Sequence, residues 1–173
     1  MINGSPRSAV FLDRDGVLNE SVVTGEGDTR APWTLDEVEV FQQHQRAVSD
    51  LSEVGWLVVV VSNQPDVSRG LLLVEDARTI NALIIRQFPG VAASYLCMHT
   101  GADGCSCRKP LPGMLFAAAK DWEIDLSSSW MVGDRWVDIA AGVAAGCRTI
   151  LIEHPRSWSP TSQGSPPQDL TAD

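Results

Sequence analysis

The run 57–61 reads Leu-Val-Val-Val-Val and is apolar at every position. β-Branched side chains of this kind fit a pleated strand. A strand that is apolar on both sides must be covered on both sides, the condition of a central strand in a parallel sheet flanked by helices. The neighbouring sequence supplies those helices. Ala47, Val48, Leu51 and Val54 recur at helical spacing and stop at Gly55; Ala77, Ile80, Ile84 and Phe88 do so before Pro89-Gly90. Ala9–Leu12, 95–98, 130–132 and Arg148–Ile152 read as further strands. Another helix opens at Pro112 and carries Leu115, Ala118, Ala119 and Trp122; a last one carries Ile139, Ala140 and Val143 and stops at Gly146. Strand and helix alternate, which predicts an α/β chain with a central parallel sheet and helices on both faces. Residues 17–41 show no period, hold Gly25, Gly27 and Pro32, and read as a long loop with room for a small hairpin. One domain is expected over 1–153, with 154–173, dominated by Pro, Ser and Gly, as a flexible tail.

Charge narrows the function. The chain of 173 residues has 22 acidic and 13 basic residues and a net charge of −9. This balance argues against a nucleic-acid or anionic-membrane partner. A bound phosphate would have to be met by a few bases gathered locally. No apolar run approaches the roughly 20 residues of a membrane span. Residues 1–8 lack the charged-then-apolar pattern of a signal peptide, so a cytoplasmic location is expected.

In open parallel sheets the ligand crevice lies beyond the carboxyl ends of the strands. The chemically notable residues sit at such ends. Asp13 and Asp15 follow the first strand, with Gly16 permitting a sharp turn; Ser62 and Asn63 follow the second; a Cys/His cluster follows the third; Asp134 follows the fourth, with Asp138 one helical turn on. A single Asp at a strand end is an ordinary turn or cap residue. Three gathered together are costly unless a cation neutralises them, and hard oxygen ligands with open positions suit Mg²⁺. Lysine is rare here, only Lys109 and Lys120, and Lys109 follows Arg108 directly after the cluster. Lys109 could hold a phosphate oxygen and offset the charge of an attacking carboxylate, with Ser62 and Asn63 donating to the same group. The cluster reads Cys97-x-His99-x5-Cys105-x-Cys107. Three thiolates and one imidazole complete a tetrahedral zinc site, which is then structural, fixing Arg108 and Lys109 in place. Cys147 stands apart and reads as a small buried apolar residue.

Four segments together carry a family resemblance: Phe11-Leu-Asp-Arg-Asp-Gly-Val-Leu-Asn19, Val61-Ser-Asn-Gln64 with Arg69-Gly70, Cys107-Arg-Lys-Pro110, and Val132-Gly-Asp-Arg135. They resemble, in order, the motifs of the haloacid dehalogenase-like (HAD-like) phosphatases, and within them the zinc-containing subgroup without a large cap domain. The resemblance spans about residues 9 to 152 and implies a three-layer, Rossmann-like fold. It implies Asp13 as nucleophile, Asp15 as general acid and then base, and Ser62 and Lys109 holding the phosphoryl oxygens. Asp13, the Asp15 carbonyl and Asp134 would ligate Mg²⁺. Without a cap, specificity is expected from 17–41 and from Asn63, Arg69, Arg108 and Arg135, in a monomer. The implied substrate is a phosphorylated sugar, a heptose bisphosphate first, with histidinol phosphate or another small phosphomonoester as the alternative. A phospho-accepting signalling domain is a distant third, since its acceptor Asp lies on a middle strand. Three departures from the subgroup bear on the sugar: Asn63-Gln-Pro-Asp66 in place of Asn-Gln-Ser-Gly, Gln42–His44 in place of a Pro-Gly, and Arg135 where Lys is common.

Overall fold

The computed structural model describes residues 7–25, 28–153 and 170–172. Strand β1 (Ala9–Leu12) leads into a long loop that holds a hairpin of β2 (Val22–Val23) and β3 (Thr29–Arg30). Helix α1 (Gln45–Glu53), β4 (Leu57–Asn63), α2 (Val74–Arg86), β5 (Val91–Cys97), α3 (Gly113–Trp122), β6 (Trp130–Gly133), α4 (Trp136–Ala145), β7 (Arg148–Ile152) and β8 (Leu170–Ala172) follow. The main sheet has the order β5-β4-β1-β6-β7-β8 and every pairing in it is parallel.

The apolar run 57–61 lies in β4, the second strand of this sheet, and its alternate side chains face two cores. Leu57, Val59 and Val61 join Ala9, Phe11, Leu115, Ala118 and Ala141 on the face covered by α3 and α4. Val58 and Val60 join Val10, Leu12, Val48, Ile80 and Ile84 under α1 and α2. Each valine withdrawn fully from water contributes about 1.5–3 kcal/mol, so this strand anchors both layers. Helix α4 starts where the Asp138 carboxylate accepts the Arg135 N–H (3.0 Å), and ends at Gly146, whose φ of 82° gives the left-handed stop.

Two boundaries differ from the expectation. β5 begins at Val91 rather than 95, because its residues Val-Ala-Ala-Ser are small and sit half-exposed at a sheet edge, where apolar patterning is weak. Leu170–Ala172 pairs in parallel with β7 as an opposite edge strand, inside the stretch expected to be tail. Three residues are too few to show a period. The remainder of that expected tail, 154–169 and 173, lies outside the described residues.

The described residues of 17–41 form a strap across the carboxyl end of the sheet rather than a lid domain. Its two ends are pinned together by Glu20 N–H to Glu39 O (2.8 Å) and Phe41 N–H to Leu18 O (2.9 Å). Because β1 lies between β4 and β6, the residues that follow these three strands meet at one point, where the strand order reverses.

Candidate active site

At that point three carboxylates gather around one ammonium. Asp13 ends β1, Asp134 follows β6, and Asp138 lies in the first turn of α4; one oxygen of each lies within 4.8 Å of the others. Lys109 Nζ donates to Asp13 Oδ1 (2.7 Å) and to the Val61 carbonyl (2.8 Å), and pairs with Asp138 Oδ1 at 2.6 Å. All four side chains are buried. Burial, then the Asp138 charge, push the Asp13 carboxyl up to about 6, with Lys109 opposing. Burial and the charges of Asp13 and Asp138 push Asp134 up to about 8. Burial works against charge on Lys109, yet Asp13 and Asp138 outweigh it and hold the amine protonated beyond its usual range. The space is tight. Gly16 has a φ of 95° and a side chain there would overlap the Asp134 carboxylate; one at Gly133 would overlap Asp138. Asp134 Oδ1 is buried with no hydrogen-bond partner among the described residues. A buried, unpartnered carboxylate oxygen beside two further acids fits a hard divalent cation.

Asp15 is turned to a different set of donors. Its Oδ1 accepts from Arg14 Nε (3.2 Å) and Asn19 Nδ2 (3.0 Å), and its Oδ2 from Arg14 Nη2 (3.0 Å) and Gln64 Nε2 (2.8 Å). Arg14 is fully buried, so this pair is a fixed part of the floor. Ser62 Oγ accepts from Gln64 Nε2 (2.8 Å) and lies 3.5 Å from Asp15 Oδ2. Asn63 is directed at Lys109: its Nδ2 donates to the Lys109 carbonyl (2.9 Å) and its Oδ1 accepts the Lys109 N–H (3.1 Å). The side chain at the end of β4 thereby fixes the backbone that carries the lysine.

The Cys/His cluster assembles beside this lysine. Cys97 Sγ lies 3.7 Å from Cys105 Sγ, 3.1 Å from Cys107 Sγ and 3.7 Å from His99 Nδ1. Four ligands about 2.0–2.3 Å from a tetrahedral zinc are separated by roughly 3.5–3.8 Å; the two 3.7 Å separations match that spacing, while Cys107 sits closer, 3.1 Å from Cys97 and 3.3 Å from His99. The loop is tied to the site at several points. Arg108 Nη1 donates to the His99 carbonyl (3.2 Å), and Ser68 Oγ to Asp103 Oδ2 (2.7 Å).

Above the acids opens a cleft of about 320 Å³. Its wall includes the expected Asn63, Arg69, Arg108 and Arg135, and Arg30 from the strap, which the sequence reading did not single out. Arg30 forks onto Glu37 (2.9 and 2.7 Å). That hydrogen bonding and the Trp33 N–H bring the Glu37 carboxyl down to about 2. Arg135 Nη2 donates to Thr29 Oγ1 (2.7 Å), fastening the hairpin to the start of α4. Arg69 pairs with Asp66 at 2.8 Å. Arg108 and Arg135 form no ion pair with a carboxylate among the described residues, although the Arg135 charge works against the rise of Asp134.

The chain is similar to known proteins in sequence and in fold. A family model described as HAD-hyrolase-like matches residues 106–159. The chain is 34% identical over 166 residues to the D-glycero-beta-D-manno-heptose-1,7-bisphosphate 7-phosphatase of Bordetella bronchiseptica, across 92% of this chain and 88% of that protein. It is 36% identical over 151 residues to the enzyme of that name from Pseudomonas aeruginosa, across 85% and 82%. The crystal structure of D,D-heptose 1,7-bisphosphate phosphatase from B. bronchiseptica, complexed with magnesium and phosphate, superposes with a TM-score of 0.80 at 29% identity, covering 96% of this chain and 92% of that one. The chain belongs to the haloacid dehalogenase-like phosphatases.

Proposed function

We propose that this enzyme removes one phosphate from a heptose 1,7-bisphosphate, the 7-phosphate, with Mg²⁺ as cofactor. The observation that carries the reading is the Asp13 carboxylate, held by buried Lys109 at 2.7 Å beside an acid with a free buried oxygen, at the foot of an arginine-lined cleft. Asp13 attacks phosphorus and the ester P–O bond breaks; Asp15, once released from its Arg14 and Gln64 donors and protonated, gives its proton to the departing alkoxide. Asp15 then takes a proton from the water that attacks the aspartyl-phosphate, releasing inorganic phosphate and regenerating Asp13. Splitting one difficult displacement into two easier ones is the benefit of the covalent step. Asp13, Asp134 and the Asp15 carbonyl would hold Mg²⁺, which supplies positive charge to the transferring phosphoryl oxygens. Lys109 supplies a second fixed charge against the same group. Ser62 is the expected donor to a phosphoryl oxygen from the end of β4.

A bisphosphate is favoured over a monophosphate ester by the wall. Arg30 and Arg69 are each paired with an acid, whereas Arg108 and Arg135 form no ion pair among the described residues and can receive the second phosphate. The ammonium of histidinol phosphate would meet these same guanidiniums, so that substrate is disfavoured. The test is Mg²⁺-dependent phosphate release from both anomers of heptose 1,7-bisphosphate, histidinol phosphate, and common sugar mono- and bisphosphates. A heptose bisphosphate should lead in kcat/KM by about tenfold or more. Equal rates across the panel would overturn the assignment.

Zinc at Cys97, His99, Cys105 and Cys107 would act through shape, because a fully protein-ligated ion has no open position for water. Metal analysis should give one zinc per chain. Cys107→Ser should lower zinc content and reduce kcat by roughly 10- to 100-fold through displacement of Lys109. Wild-type turnover by protein verified to be free of zinc would remove this role.

A further inference from the structure

The outer wall of the cleft is built from two separate pieces, the strap and the turn 64–70 after β4. Among the described residues one side-chain hydrogen bond joins them. Asp66 Oδ2 accepts the indole N–H of Trp33 (2.8 Å), while Asp66 Oδ1 accepts from Arg69 Nη1 (2.8 Å). Asp66 is itself buried, and its carbonyl accepts the N–H groups of Leu71 (2.9 Å) and Leu72 (3.2 Å). The carboxylate is therefore set by its own turn before it reaches either partner. On the strap side, Arg30 lies over the Trp33 ring at 4.0 Å, and Glu37 binds both the Arg30 guanidinium and the Trp33 N–H (2.8 Å). None of these contacts involves Asp13, Asp15, Lys109 or Asp134.

We propose that Asp66 is a positioning residue that sets specificity: it clasps the strap to the β4 turn through Trp33 and aims Arg69 across the cleft. This rests on the phosphatase reading and extends it. The clasp acts on the sugar end of the substrate, distant from the phosphoryl group that is transferred. A short phosphomonoester that never reaches the wall should not sense it.

Trp33→Phe removes only the indole donor and keeps an aromatic ring under Arg30. Its KM for the best sugar bisphosphate should rise about tenfold, the effect of losing a hydrogen bond to a charged group, with kcat changed by no more than about twofold. The kcat/KM for glycerol phosphate should stay at the wild-type value. Amide exchange across 29–33 should accelerate, while protection of β1 and β4 stays unchanged. Asp66→Asn retains an acceptor for Trp33 but loses the Arg69 ion pair, so it should keep the slow exchange at 29–33 and still raise KM. Equal loss of kcat on both substrates, or unchanged KM and exchange in Trp33→Phe, would overturn the proposal. Were the wild-type protein to release phosphate from nothing, the phosphatase reading would fail by itself. The exchange comparison would still decide whether the clasp exists.

Discussion

Asp13→Asn should reduce phosphate release by at least about 10⁴-fold, the scale on which loss of a covalent nucleophile is felt, while leaving the fold at least as stable. The two halves of this expectation have separate causes. The amide has the size and shape of the carboxylate and retains an oxygen that can accept from Lys109. It lacks the charge that makes the carboxylate a nucleophile. Stability should not fall, because in the native protein the Asp13 carboxyl is buried and faces Asp138, which together push it up to about 6. Removing that charge relieves repulsion from Asp134 and Asp138, while Lys109 keeps its ion pair to Asp138. Thermal unfolding in chelator and single-turnover phosphate release from the best substrate measure the two halves independently. Release within about tenfold of wild type would take Asp13 out of the reaction. A stable phosphoprotein formed by the wild type without turnover would return the case to a signalling domain.

The parts of this molecule that were legible in the sequence are those in which chemistry and local spacing coincide. Leu57–Asn63 could be read as a central strand because its side chains face two cores, and that requires an unbroken apolar run. The Cys/His cluster could be read because its four ligands lie within eleven residues. Asp13 and Asp134 could be brought together because a parallel sheet places strand ends side by side; the third carboxylate beside them is Asp138, while that of Asp15 is turned to Arg14, Asn19 and Gln64. The contacts made across long stretches of chain were not legible. Arg135 meets Thr29 over a separation of 106 residues and Trp33 meets Asp66 over 33. The strap residues follow no period, since their positions are set by side-chain hydrogen bonds rather than by a buried face. Gln64 and Asn19 fall inside motif segments, but their direction toward Asp15 depends on the turn after β1, which closes by Gly16 N–H to Asn19 O (2.7 Å). Asn63 was expected on the substrate, and its amide is directed at the Lys109 backbone, a pairing fixed only once the zinc-type loop is folded.

Replacing Lys109 by Met should both unfold the protein more easily and stop turnover. In the native site the ammonium has three partners, Asp13, Asp138 and the Val61 carbonyl. Methionine fills the channel but leaves two buried carboxylates facing each other with no counter-charge. Breaking a buried pair in this way costs about 3–5 kcal/mol. Loss of a fixed charge at the transferring group lowers kcat by about 10²–10³-fold in addition. Arginine is no remedy, because a planar fork cannot occupy the three-acceptor cage that a compact ammonium fills; Lys109→Arg should remain impaired in kcat. The pH dependence of the Met variant identifies the cause. Asp13 is already raised to about 6 from the ordinary aspartate value of 3.8 with Lys109 opposing the rise. Without that opposition it climbs further. A carboxyl whose folded value exceeds its unfolded one binds protons more readily when folded, so stability falls as pH rises. Variant and wild type should therefore fall together from about pH 4 to about pH 6, and the deficit of the variant relative to wild type should widen only above about pH 6, up to its own higher value, measured by denaturant unfolding in chelator. Adding Asp13→Asn to Lys109→Met should recover part of the loss, since one of the two stranded charges is gone. A deficit independent of pH and unrelieved in the double variant would assign the damage to packing around residue 109 instead of to the charge it carries.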